Sequence, residues 1–402
     1  MAVLTKDTIW KLTGCVQHYP WGGKNYISGL MCLTNENDKP FAELWFGQHP
    51  SCPSMTTGGT SLAELMQSSP DNFLTPSERK RWNDELPFLC KILDVSEMLS
   101  IQIHPAEAEA IEGFQKEEAE GISISARKRT FRDCHHKPEL MYALSDFYLL
   151  HDFRKDDEVI RVLKGIASLS PVLKKIREMG LPDFYRWYME LTQKRINKLL
   201  QPFVDGLLES DVPDDPMNPD YWARRAIDRF CTSTKIDRGI ISFYLMNLVF
   251  LRPGEVVFQN SGIPHAYLRG QNIEVMANSD NVIRGGLTGK FINSRALSQL
   301  VRFDERTVHK LKPERADDSK IVFTPPVEEF QLSVIELHPY QEYSVKTSHV
   351  TLMFSTCNCF MIGSQHQELR VGGGEAVLVR ADETVVLRSR MKAQIFLVNS
   401  QD

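Results

Sequence analysis

The chain has no Cys-x-x-Cys pair, no long block of lysines and arginines, and no apolar stretch long enough to cross a bilayer. The first absence removes the usual spacing of thiolate metal sites and redox dithiols. The second, in 402 residues with a net charge of -5, argues against a nucleic-acid surface. The longest apolar run, IISFYLMNLVFL from Ile240, is too short for a membrane span and carries Ser242 and Asn247, as a buried core segment does. The opening MAVLTKDTIWKLTG lacks a hydrophobic signal core, so a cytoplasmic location is expected. The eight cysteines lie scattered, without the density of a disulfide framework, and all are expected to remain thiols. Cys357 and Cys359, in the triplet CNC, read as packing residues rather than ligands.

Up to about Phe153 the pattern is mostly strand. FAELWFG, LPFLCKIL, LSIQIHP and ELMYALSDFYLL alternate or run continuously apolar between Gly, Pro, Asn and Asp. A charged stretch from Glu107 to Asp133 predicts one helix and an exposed loop. From Arg154 the period changes: Val159, Ile160, Val162, Leu163 and Ile166 recur at helical spacing. In SPVLKKIREMG, Ser170 is the expected N-cap, Pro171 the first helical residue and Gly180 the stop. LPDFYRWYMELTQKRINKLLQPF supplies a further helix. Strand patterning returns near Ile240 and lasts to about Phe291; a short helix, SRALSQLV, and a charged, proline-rich linker then lead to a second all-strand region. LRPGEVVF from Leu251 and LRVGGGEAVLV from Leu369 both set a Gly-Glu turn before an apolar strand, a pattern that fits two similar antiparallel double-sheet domains.

In LSIQIHP, Leu99, Ile101 and Ile103 point one way, and Ser100, Gln102 and His104 the other, with nothing apolar among them. Such a face meets water or lines a site. Two other segments offer groups that suit the same site: Glu139 at the start of an apolar strand in HHKPELMYAL, and His265 after the Gly/Pro turn of SGIPHAY. Two imidazoles, a carboxylate and an amide oxygen suit a divalent cation such as zinc, leaving a net charge that keeps it a Lewis acid. His135 and His136 point to opposite sides of a strand and read as a surface pair. In the stretch GQNIEVMANSDNVIRGGLTGKF, alternation sets Glu274, Met276, Asn278 and Asp280 on one face; Gly285 and Gly286 after Arg284 let the backbone turn closely around a ligand. The run to Lys290 lacks the length and the Ser or Thr of a nucleotide loop. Trp21, Trp45 and Met276 read as packing.

VQHYPWGGK, DKPFAELWFGQHP, LPFLCKIL, LSIQIHP, HHKPEL, PHAYLRG and EVMANSDNVIRGGLTGKF, in this order and separation across nearly the whole chain, resemble the type I phosphomannose isomerases. The resemblance implies a mainly β fold of two cupin-type jelly-roll barrels with an α-helical insertion. It would comprise a discontinuous metal-bearing catalytic unit over 1–153 and 240–312, a helical unit over 154–239, and a C-terminal unit over 313–402 without metal, where RADETV replaces NSGIPHAY. It implies one zinc ion per chain on Gln102, His104, Glu139 and His265, and an active-site arginine at Arg284. Phosphate contacts are then expected to include Lys91, Ser100 and Lys290, with Lys137, Glu274 and Asp280 handling hydroxyls or protons. Gly289 stands where the family commonly has proline, which loosens the loop before Lys290. The implied reaction interconverts mannose 6-phosphate and fructose 6-phosphate through a cis-enediol, in mannose use or GDP-mannose synthesis. A phosphosugar is the expected partner, with no nucleic acid, no membrane and a single chain as the working form. Two other readings stand beside it: an iron oxygenase using His104, His265 and Glu139 with Gln102 uninvolved, and a nonenzymatic sugar-binding protein.

Overall fold

The computed structural model describes residues 7–304 and 306–401; the first six residues of the opening stretch read for a signal core lie outside them. Among the described residues no helix is long and apolar enough to cross a membrane. The strands form three sheets of eleven, eight and four strands, stacked as layers, with the helices against the far side of the eleven-stranded assembly.

The stacking follows from the alternation of side chains along each strand. In Gln331–Leu337 of the eight-stranded sheet, Leu332 and Val334 pack toward the eleven-stranded assembly, while Ile335 and Leu337 pack toward the four-stranded sheet. A sheet buried on both faces needs continuous apolar strands, which is why Thr351–Ser355 and Glu375–Val379 read TLMFS and EAVLV. Phe88–Val95 is likewise buried throughout. Cys90 and Ile92 face the eight-stranded sheet, and Leu89, Lys91 and Leu93 face the other way.

The expected pair of jelly-roll barrels is not what forms. Among the described residues no sheet closes: the eight-stranded sheet runs from Glu314–Arg315 to Met55–Thr56 without returning on itself, and the four-stranded sheet runs from Glu342–Lys346 to Glu368–Val371. The fold class is mixed α and β, with open, stacked sheets. Burial alternation is the same for a strand in a closed barrel and in a layered stack, so the sequence pattern could not tell them apart. It also gives no sign that Ile9–Thr13 pairs with Glu375–Val379, more than 360 residues away.

One strand organises the site. His265–Ala277 pairs through its first residues with Ile101–Ile103 and Phe147–Phe153, and through its later residues with Phe88–Val95 and Glu139–Ala143. It changes partners at Gly270, whose φ is +130° and where a Cβ would lie 2.6 Å from the Phe147 ring and 2.7 Å from the Asp146 carbonyl oxygen. Only glycine suits that corner.

The region is helical from Asp156–Lys164 to Pro219–Phe230, as its period indicates, but the single helix expected for LPDFYRWYMELTQKRINKLLQPF is two, Leu181–Met189 and Gln193–Glu209. Ser170 opens Ser170–Met179 as its first residue rather than capping it, with Leu169 in the cap position; Gly180 ends it at φ +81°. The Gly285-Gly286 pair serves packing instead of a ligand: a Cβ on Gly286 would lie 2.4 Å from the Gly239 Cα. Asp237 ties the two segments together, accepting the backbone N–H groups of Gly239 at 2.8 Å and Leu287 at 2.7 Å.

The expectation that every cysteine stays a thiol also needs correction, because Cys15 and Cys52 form a disulfide with Cα atoms 5.5 Å apart. Scattered spacing says nothing about two positions that the sheet brings face to face. Denatured without reductant, the chain is expected to titrate as six thiols, rising to eight after reduction; closing a 37-residue loop should contribute about 3–4 kcal/mol. Eight thiols before reduction would contradict the bond.

Candidate metal centre and its cleft

The polar face of LSIQIHP lines a cleft of about 450 Å³. Ile101 and Ile103 are fully buried against the helices, which turns Gln102 to the other side. The strand stops there because Pro105 has no N–H to offer, and Glu107–Ala119 begins at once, with Glu109 accepting the Ala106 N–H at 2.7 Å. Register does the rest. His265 lies opposite Gln102, and Gln102 opposite Arg284, while Glu139 pairs with Met276 eleven residues further along the same long strand.

His104, Glu139 and His265 are all buried, and one donor atom from each lies within 4.8 Å of the others. His104 Nε2 is 3.3 Å from one Glu139 oxygen and His265 Nε2 is 3.3 Å from the other. Neither contact supplies the proton of a hydrogen bond. His104 Nδ1 lies 2.6 Å from the Asn281 carbonyl and His265 Nδ1 3.2 Å from the Ile263 carbonyl. A carbonyl only accepts, so each Nδ1 carries the ring proton and each Nε2 presents a lone pair. Two lone pairs and a carboxylate thus converge without a donor between them, and His104 Nε2 and Glu139 Oε2 have no hydrogen-bond partner. A divalent cation fits this set, with three donors of the types zinc takes. The Gln102 amide ends 3.3 Å from His265 Nε2, and turning it over presents its oxygen as a fourth donor.

Burial lowers the His104 pKa and so favours the neutral ring that a metal needs. Burial would raise that of Glu139, yet it is held well below the usual carboxylate range. A neutral His104 cannot supply that pull, so we assign it to Lys137, whose Nζ is 3.3 Å from Glu139. Asn281, fully buried, fixes the outer side: its side chain donates to the Asp133 and His135 carbonyls and accepts the Arg132 N–H at 2.7 Å. His135 and His136 lie outside the centre, against Glu107 and Glu329.

Beside the centre lies a second buried group that the sequence showed only in part. Lys91 sits directly across from Glu274 and Trp45, with Nζ 3.1 Å from Glu274, 4.0 Å from Glu43 and 4.9 Å from the Trp45 ring centroid. Burial alone would lower its pKa, but Glu274 and Glu43 outweigh it and raise the value. Tyr267 donates to Glu274 at 3.0 Å, and Trp45 donates to Glu43. Glu43 and Tyr267 were missed from sequence, although alternation along AELWF puts Glu43 on the same face as Trp45. Trp21, Trp45 and Met276, read as packing, do pack, and they also line the cleft. Asn278 leaves it, since the strand ends at Ala277, and lines a different hollow with Arg81 and His136.

The cleft also holds cations. Arg284 and Lys290 have no carboxylate partner among the described residues, and both have lowered pKa values, first through burial and then through neighbouring cations, Arg132 among them. Ser100 lines the same cleft. Without the rigidity of proline at 289, the loop is held by Arg127, which donates to the Gly289 carbonyl at 3.1 Å.

A buried metal site in a cleft that also holds cations without a salt-bridge partner among the described residues defines a metal-dependent enzyme for a small anionic substrate. Residues 9–156 match the catalytic domain of phosphomannose isomerase type I. The mannose-6-phosphate isomerase of Escherichia coli (strain K12) is 33% identical over 382 residues, covering 94% of this chain and 96% of its own. That of Mus musculus is 28% identical over 420 residues, covering 96% of each. The crystal structure of the Salmonella typhimurium mannose 6-phosphate isomerase bound to its substrate, fructose 6-phosphate, and zinc has a TM-score of 0.86 at 29% identity, over 98% of this chain and all of that one. The chain belongs to the type I phosphomannose isomerase family, and the site of His104, Glu139 and His265 is its zinc site.

Removing zinc leaves buried acceptors facing one another, so chelation is expected to lower the thermal midpoint by several degrees, with recovery on adding zinc but not magnesium. An unchanged midpoint in zinc-free protein would count against the site. Lys91→Met strands Glu43 and Glu274 as buried charges; urea unfolding is expected to show a loss of about 3–5 kcal/mol.

Proposed function

We propose a division of roles for the reaction this chain carries out, the zinc-dependent interconversion of mannose 6-phosphate and fructose 6-phosphate. A proton must leave C2 of the aldose and return at C1 of the enediol, while negative charge builds on the sugar oxygens. Gln102, His104, Glu139 and His265 would hold the ion, which when bound supplies a Lewis acid for those oxygens.

Arg284 follows Gln102 in the row across the strands, so its guanidinium lies beside the metal end and can stabilise the enediolate while remaining protonated. The phosphate is assigned to Lys290 and Ser100, which line the same cleft. Lys91 is given to sugar hydroxyls rather than to phosphate, because Glu274 and Glu43 already neutralise it and would repel a dianion. Lys137, Glu274 and Asp280 also line it and handle hydroxyls or their protons. The observation that carries this proposal is one cleft in which a buried metal site meets two cations, Arg284 and Lys290, that have no carboxylate salt-bridge partner among the described residues.

A single chain as the working form and the cytoplasm as its location complete the proposal, the second because phosphorylated sugars are retained inside cells. A coupled assay for fructose 6-phosphate formed from mannose 6-phosphate is expected to lose product with a chelator and regain it with zinc. Arg284→Ala should lower kcat by about 10²–10³ at unchanged zinc content. Equal losses of zinc and turnover would assign Arg284 to structure.

A further inference from the structure

One buried polar side chain beside the cleft has no role in this scheme. His49 follows the strand Glu43–Phe46, is 7% exposed, and has Nε2 3.3 Å from Asp280 Oδ2. Its Nδ1 is 2.8 Å from Ser51 Oγ and also accepts the Ser51 backbone N–H at 3.3 Å. A backbone N–H only donates, so Nδ1 keeps its lone pair and the ring proton is on Nε2, aimed at the carboxylate. The ring cannot easily turn away: its face meets Trp45 edge-on at 5.0 Å, and the Cys52 N–H donates to the His49 carbonyl at 3.0 Å. Cys52 is in turn tied to Cys15.

Asp280 is held from the other side as well, its backbone N–H donating to Asp133 Oδ2 at 2.7 Å. The hydrogen bond from His49 is the main influence keeping the Asp280 carboxyl below its ordinary range, with burial opposing and Lys137 and Lys91 adding to it. Tyr19 and Asp133 are the other titratable groups facing it.

We propose that His49 is a positioning residue for isomerisation: a neutral imidazole that donates Nε2–H to one oxygen of Asp280 and leaves the other free for the hydroxyls of the sugar. The inference rests on the role given to Asp280 above. A histidine kept only to shape its turn would need the Ser51 contacts alone, whereas the Nε2 contact reaches a residue 231 positions away that lines the cleft.

Two side chains separate these roles. In zinc-loaded enzyme, His49→Asn sets an amide near the place of Nδ1, keeping Ser51 but falling short of Asp280. His49→Gln carries an amide nitrogen to the place of Nε2. The Asn variant is expected to lose about tenfold in kcat with KM for mannose 6-phosphate and zinc content little changed, and the acid limb of its kcat/KM profile should move to higher pH as Asp280 loses its donor. The Gln variant should recover most of the turnover and the parental limb. Full activity in the Asn variant, or a Gln variant as impaired as Asn, overturns the inference. Should the Asn variant not fold, the Gln profile decides: a parental acid limb supports the proposal and a shifted one overturns it. Asp280→Asn is expected to lose at least as much turnover as His49→Asn; parental turnover there would instead remove the role of Asp280, and the inference with it.

Discussion

The active end of this protein depends on a repulsion. Two imidazole lone pairs and a carboxylate meet in a place water does not reach, with the donor side of each ring turned outward to a carbonyl. In the absence of a cation such a cluster is unfavourable, since His104 Nε2 and Glu139 Oε2 have given up solvation without gaining a hydrogen bond. The protein therefore has to be rigid around it. That rigidity comes from strands whose partners are set elsewhere: Gln102 and His265 are held by pairing register, His104 by Asn281, and Glu139 by its place at the start of a strand buried on both faces. The ion converts the arrangement from a cost to a gain, which ties zinc binding to stability as well as to chemistry.

The long strand His265–Ala277 joins the two ends of the reaction. Its first residue is a metal ligand, its tenth is Glu274, and the corner at Gly270 turns one strand into a member of two pairings. Distances between the metal end and the Lys91 group are thus set within a single backbone. Movement of the layers against each other would not change them. The same logic applies to Arg284, one strand away from His265 with Gln102 between them.

Much of this was legible in the sequence, and the exceptions have physical causes. LSIQIHP declared its polar face because period-two alternation is local, and Glu139 and His265 stood at strand starts marked by Pro and Gly. Open, stacked sheets were not legible: whether the outer strands meet to close a barrel depends on contacts between segments hundreds of residues apart, as with Ile9–Thr13 and Glu375–Val379. The Cys15–Cys52 bond was hidden for the same reason. Glu43 and His49 were overlooked differently. Each stands beside a large aromatic in ELWFGQHP, and the burial that those aromatics announce is what makes the neighbouring polar groups consequential.

The charge arrangement of the cleft gives a direction to the substrate that no single residue imposes. Lys91 lies within reach of two carboxylates, so that group carries excess negative charge in a buried setting and repels a phosphate. Arg284 and Lys290, by contrast, have pKa values pushed down by burial and by neighbouring cations, and neither has a carboxylate salt-bridge partner among the described residues. Both effects are strengthened by burial, where an ion pair at 4 Å is worth several times its value in water. On the proposed roles, a phosphosugar entering with its phosphate toward Lys290 relieves that repulsion and brings its carbonyl end toward zinc and Arg284. The reverse orientation sets a dianion against Glu43, Glu139 and Glu274. On the proposed roles, orientation follows from what the metal site and the cations leave unsatisfied, and the hydroxyls fall to groups that are already paired and need only exchange one partner for another.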